Sequence, residues 1–103
     1  NRYDAVIMDP PSYGRGPNGE LWKLEDSVDE LITLASNLLS DDPLFFLVNS
    51  YTTGLSPSVM GYILGSVLTE KFHGTVSFDE IGLPVRSTGM TLPCGSTAIW
   101  EAK

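Results

Sequence analysis

Cysteine and histidine each occur once in the 103 residues. A single thiol cannot close an internal disulfide, and His73 without a second histidine offers no metal-ligand set, so a disulfide scaffold and a zinc module are both excluded. Basic side chains are scarce as well: six Lys and Arg stand against thirteen Asp and Glu, a formal net charge of -7. A chain of that sign does not wrap nucleic acid with its own surface, and if nucleic acid is the substrate the positive surface is supplied elsewhere. No run of about 18 apolar residues is long enough for a helical membrane span, and no charged n-region precedes an apolar h-region. With one cysteine and no such segment, a reducing cytoplasmic setting is the expectation.

What is present is an ordinary apolar fraction of 42%, enough for one ordered domain, though this length is toward the small end for an independent α/β sheet. The chain opens on Asn1 and reaches an apolar strand within a few residues, which reads as a cut through a longer protein. The organising stretch runs from Asp4 to Trp22, DAVIMDPPSYGRGPNGELW. Val6, Ile7 and Met8 form a continuous apolar run, the pattern of a strand buried on both faces of a parallel sheet. Asp9 ends it. Pro10 and Pro11 lack backbone donors and fix φ, so the chain leaves the sheet stiffly and presents Ser12 and Tyr13 in a restricted direction. Ligands of open α/β sheets bind outside the carboxyl ends of the strands, which makes this segment the site candidate. The glycines and prolines between Ser12 and Asp26, with Arg15, Trp22 and Lys23 among them, match neither a dinucleotide nor a P-loop fingerprint. They read as a mobile lid or substrate loop.

Ser27 with Glu30 three residues on forms a capping-box pattern, with Asp26 and Asp29 at the positive end of the helix dipole. Val28, Leu31, Ile32, Ala35, Leu38 and Leu39 then fall on one helical face, and Asp41, Asp42 and Pro43 stop the helix. Leu44 to Val48 is a second buried strand, whose end carries Asn49, Ser50, Tyr51, Thr52 and Thr53 before Gly54: a second polar cluster at the same edge as Asp9. Ser56 and Pro57 supply an N-cap and first residue for another helix. Its apolar face is Met60, Ile63, Leu64, Val67 and Leu68, with Gly61 and Gly65 spaced to let it lie close to a neighbour. Thr75 to Ile81 and Met90 to Trp100 read as two strands joined through Gly82, Pro84 and Gly89; strands in direct succession pair antiparallel. Cys94 reads as an inert structural cysteine, Trp22 and Trp100 as core anchors, and Asp79 and Glu80 as a solvated strand end. His73, just past a helix, suits the negative end of its dipole.

The string DPPSYGRG followed by GELWKLED resembles the fourth motif of class I S-adenosylmethionine-dependent methyltransferases, in particular the branch that includes the ribosomal RNA cytosine-C5 enzymes. The resemblance extends over nearly the whole chain. The order strand, helix, strand, helix, strand, strand resembles the C-terminal half of that Rossmann-like α/β sheet, in which the last strand inserts antiparallel. What this implies is a partial methyltransferase domain over residues 1–103. The family's N-terminal half, with its Gly-rich turn and ribose-binding acid, is not represented.

On that resemblance Asp9, Pro10, Pro11 and Tyr13 are the catalytic segment. Asp9 would lie near the methyl donor and hydrogen-bond the target or the cofactor's amino group; Asp9 and Pro10 would touch the cofactor, S-adenosylmethionine; and Tyr13 would stack on a flat substrate such as a base. Ser12, Arg15, Asn49, Ser50 and Thr52 complete the substrate side. Adenine-N6 and glutamine-N5 enzymes carry an aromatic directly after the second proline, where this chain has Ser12, and the cytosine-C5 enzymes need cysteines where it has Ser50 and Thr52. A hydroxyl is a poor substitute for a thiolate, so cysteine-dependent cytosine-C5 chemistry is not expected.

Two functions follow from different classes: the catalytic-motif half of a methyltransferase, acting on RNA through parts outside this chain, or a non-catalytic domain that pairs with a partner or stabilises an assembly. In either case no membrane association is expected. The first strand leaves an unpaired edge with no lysine in it, so the isolated chain is expected to be a homo-oligomer, and to lack activity of its own.

Overall fold

A computed structural model describes residues 1–52 and 54–103; the part of the polar cluster expected at Thr53 lies outside the described residues. Among the described residues eight elements follow one another: β1 (Ala5–Met8), β2 (Tyr13–Arg15), β3 (Leu21–Lys23), α1 (Leu24–Ser36), β4 (Phe45–Ser50), α2 (Pro57–Lys71), β5 (Thr75–Val85) and β6 (Met90–Glu101). β1, β4, β6 and β5 form one sheet in that order, and β2 and β3 form a separate two-stranded hairpin. β1 runs parallel to β4, while β6 lies antiparallel between β4 and β5. This is the α/β arrangement expected of the element order, with the last strand reversed.

One side of the sheet carries the core. Phe46 and Val48 of β4 and Ala98 and Trp100 of β6 point to it and pack with Val28 and Ile32 of α1 and Met60, Leu64 and Leu68 of α2. Trp100 is fully buried, its ring 5.7 Å from that of Phe72. α2 is well specified: the Ser56 hydroxyl accepts from the Val59 N–H at 3.3 Å, and Pro57 follows as the first helical residue, where its missing N–H costs nothing. Gly61 lies directly against the Phe78 ring, so the close approach expected of that glycine is made to β5.

Four local expectations are corrected. α1 begins at Leu24 with Lys23 as its N-cap and no side-chain cap, so Ser27 and Glu30 sit inside the helix rather than forming a capping box. The Leu24 N–H instead donates to the Ser12 carbonyl at 2.9 Å, which satisfies one of the first-turn donors with backbone from the site segment. The helix also ends at Ser36, leaving Leu38 exposed and placing Leu39 in a bridge with Tyr3. The segment read as a mobile lid is in large part the β2–β3 hairpin, closed by Pro17, Asn18 and Gly19: the Gly19 N–H donates to the Gly16 carbonyl at 3.0 Å and Gly19 takes φ +82°, a turn followed by a left-handed residue that suits hairpins. β5 and β6 run through Gly82 and Pro84 with a register shift at Ile81/Gly82, so the connection is only residues 86–89 and Asp79 and Glu80 lie within a strand.

The fourth correction concerns β1, which is covered on one face only. Val6 and Met8 pack on the core, whereas Ile7 is 70% exposed. Ile7 pairs with Leu47 on the opposite side of the sheet, where Ala5, Phe45 and Ile99 are only partly covered. β1 also ends the strand order, with no strand on its outer edge among the described residues.

Candidate functional site

β1 and β4 run parallel and finish at the same edge of the sheet, so the segments that follow them leave from one place. A cleft of about 530 Å³ opens there, a size that suits a small ligand or one residue of a polymer. Ser12, after β1, and Thr52, after β4, meet on its lining: the Thr52 hydroxyl donates to the Ser12 hydroxyl at 2.7 Å. The hairpin builds the opposite wall by its two-residue period. Gly14 and Trp22 face inward, Trp22 against the core, which leaves the outward pairs Tyr13–Lys23 and Arg15–Leu21 lining the cleft. Arg15 is held over the turn by a 3.3 Å hydrogen bond from its guanidinium to the Gly19 carbonyl. Glu25 from the first turn of α1 and Tyr51 complete the lining.

Of the residues the sequence singles out, the cleft brings together Ser12, Tyr13, Arg15 and Thr52. Asp9 and Pro11 are exposed and Pro10 is half-buried on the approach from β1, none of them lining the cleft. Asn49 faces the other side of the sheet, paired with Thr97. Ser50 is buried, and its hydroxyl accepts the Thr52 N–H at 3.1 Å. Leu21, Lys23, Glu25 and Tyr51 are the cleft residues that the motif did not reveal. The signal for the first two was the Pro17-Asn18-Gly19 turn, which puts residues on either side of it opposite one another. Cys94, expected to be inert and structural, is exposed at the base of the β5–β6 arm, with its thiol 3.4 Å from the Ile81 carbonyl. Among the described residues no group of three or more His, Cys, Asp or Glu is placed to hold a metal ion, and no helix is long and apolar enough to cross a membrane.

A parallel strand–helix–strand unit with a reversed strand inserted beside it matches part of a Rossmann-like methyltransferase fold. Two solved structures carry that comparison. The SAM-dependent methyltransferase from Agrobacterium tumefaciens is similar with a TM-score of 0.81 and 26% identity, covering 99% of this chain and 34% of its own. SMU.776, solved complexed with SAH, is similar in fold with a TM-score of 0.55 and 19% identity, over 96% of this chain and 26% of its own. The chain therefore spans about a third or less of the length of these neighbours. No protein-family model matches it, and no curated protein matches its sequence.

Proposed function

We propose that the chain is the acceptor-side part of an S-adenosylmethionine-dependent methyltransferase whose substrate is RNA, and that residues 1–103 are a partial domain completed by chain outside them. One observation carries the reading. In a fold shared with a SAM-dependent methyltransferase at a TM-score of 0.81, the carboxylate Asp9 and an aromatic, hydroxyl-lined cleft leave the same carboxyl edge of the sheet.

The residues present fit one side of the cofactor. Asp9 is an exposed carboxylate just past β1, an acceptor suited to the cofactor's ammonium or adenine amino group. The parallel neighbour β4 ends in Asn49 and Ser50, which supply no acid for ribose hydroxyls. When bound, the cofactor supplies an electrophilic methyl group on a sulfonium. This chain's own part is to bind and orient: Asp9 as acceptor, Pro10 and Pro11 as stiff wall, Tyr13 as a face on which a base stacks, and the Ser12–Thr52 hydroxyl pair as polar contacts. Neither Ser50 nor Thr52 is arranged as a nucleophile. The Ser50 hydroxyl is buried and accepts from backbone, and the Thr52 hydroxyl donates to another hydroxyl rather than to a base. A serine or threonine nucleophile needs an adjacent base, so the reading is of a methyltransferase, resembling the ribosomal RNA cytosine-C5 branch in its motif, that works without covalent addition through this segment.

The test is methyl transfer from labelled S-adenosylmethionine to RNA by the full-length protein. Label in RNA that is lost on Asp9→Asn is the expected result. Label that enters no RNA in any preparation would remove the substrate class.

A further inference from the structure

Tyr51 is the aromatic residue of the cleft that the sequence motif did not mark, and its position is built rather than incidental. It is 52% exposed and lines the cleft with Tyr13, itself 68% exposed. The two come from different elements, one on the hairpin and one after β4. Behind Tyr51 stands Gly95 of β6: a Cβ there would come 2.6 Å from the Tyr51 ring and 2.7 Å from the Ser50 carbonyl. Only a residue without a side chain lets the ring lie at that depth. The charge is also local. Among the described residues the cleft is lined by two cations, Arg15 and Lys23, against one carboxylate, Glu25, inside a chain of net charge -7.

We infer that Tyr51 is a second aromatic wall of the acceptor site, positioned by Gly95, and that Tyr51 and Tyr13 together grip a planar base of single-stranded RNA while Arg15 and Lys23 contact the adjoining phosphate. The inference rests on the reading of this cleft as the acceptor side. The chemistry favours a nucleotide within a single strand, because stacking on exposed aromatics needs a base free of its own stack and pair, and cations beside the rings track the backbone. The acidic remainder of the surface confines the contact to the cleft instead of spreading it along a duplex.

The test uses a short fluorescently labelled single-stranded RNA oligonucleotide, titrated by anisotropy at low salt. Tyr51→Phe is expected to bind within about twofold of wild type, and Tyr51→Leu, which keeps bulk without a ring, roughly tenfold or more weakly. Gly95→Ala is expected to weaken binding comparably while adding little on top of Tyr51→Leu, since Gly95 acts through Tyr51; a purely structural glycine would give additive losses. Lys23→Ala is expected to reduce the magnitude of the slope of log affinity on log salt by about 0.7. Wild-type affinity in Tyr51→Leu, additive losses in the double variant, or a wild-type protein that binds no oligonucleotide would each overturn the inference. A protein that binds RNA through Tyr51 yet transfers no methyl group would leave this inference standing and remove the proposed activity; methyl transfer to RNA that is indifferent to Tyr51 would do the reverse.

Discussion

Asp9 separates chemistry from packing cleanly, since it is exposed and stands just beyond the last residue of β1. Substituting an exposed residue of this kind changes stability by no more than about 0.5 kcal/mol, whereas removing a positioned electrostatic partner costs on the order of a hundredfold in turnover. Asp9→Asn is therefore expected to lower methyl transfer by about that factor with an unchanged urea midpoint; equal loss of activity and stability would place Asp9 in the fold instead. Ser50 behaves in the opposite way. Its hydroxyl is buried and accepts the Thr52 N–H, so Ser50→Ala is expected to cost about 1 kcal/mol of stability and to leave methyl transfer measurable. Mass spectrometry of the stalled reaction should find no adduct at residue 50 or 52, and an adduct at either would restore a covalent route. The place of Tyr13 on the cleft lining is legible because the motif is contiguous, whereas Asp9 from the same motif stands off that lining. Tyr51 is legible only as a member of the polar cluster at that edge; its place against the cleft is not, because what sets its depth is Gly95, which lies far along the chain and meets it only when β6 pairs with β4.

At the scale of elements, α2 and the β5–β6 pair were legible from short-range signals: Ser56-Pro57 at a helix start, apolar residues at helical spacing, and two β-rich runs in succession. The start of α1 departs from the local capping pattern because its first donor is met by the Ser12 carbonyl, a tertiary contact that such a pattern cannot register. The hairpin leaves no alternation in the sequence because its strands are only three residues each, and its one local signal is the Pro17-Asn18-Gly19 turn. The join between α2 and β5 gives an element-level prediction. Gly74 has φ +154°, and a Cβ on it would press on the Glu101 carbonyl and come 2.6 Å from Trp100 Nε1. Gly74→Ala is expected to destabilise by roughly 1–3 kcal/mol, read from denaturant unfolding. An unchanged midpoint would mean that β6 and the Trp100 ring move aside freely.

Across the whole molecule the continuous apolar run of β1 had suggested burial on both faces, yet Ile7 is 70% exposed and β1 has a free outer edge among the described residues. Parallel strands are ordinarily covered on both sides, and an apolar edge without a charge invites pairing. The 103-residue chain is accordingly expected to self-associate, through this edge or its exposed face, and Ile7→Lys to shift it toward monomer in light scattering without loss of helix content. On the proposed reading this geometry also separates what the chain supplies from what comes from outside it. A carboxylate and a cleft lie at the carboxyl edge, while β4, the strand beside β1, ends in Asn49 and Ser50. The most direct measurement is calorimetric titration of S-adenosylmethionine into the full-length protein and into residues 1–103 side by side. The account predicts saturable binding to the full-length protein and binding to the 103-residue chain that is at least about a hundredfold weaker, about 2.7 kcal/mol; no binding to the full-length protein, or equal affinity for both, would contradict it.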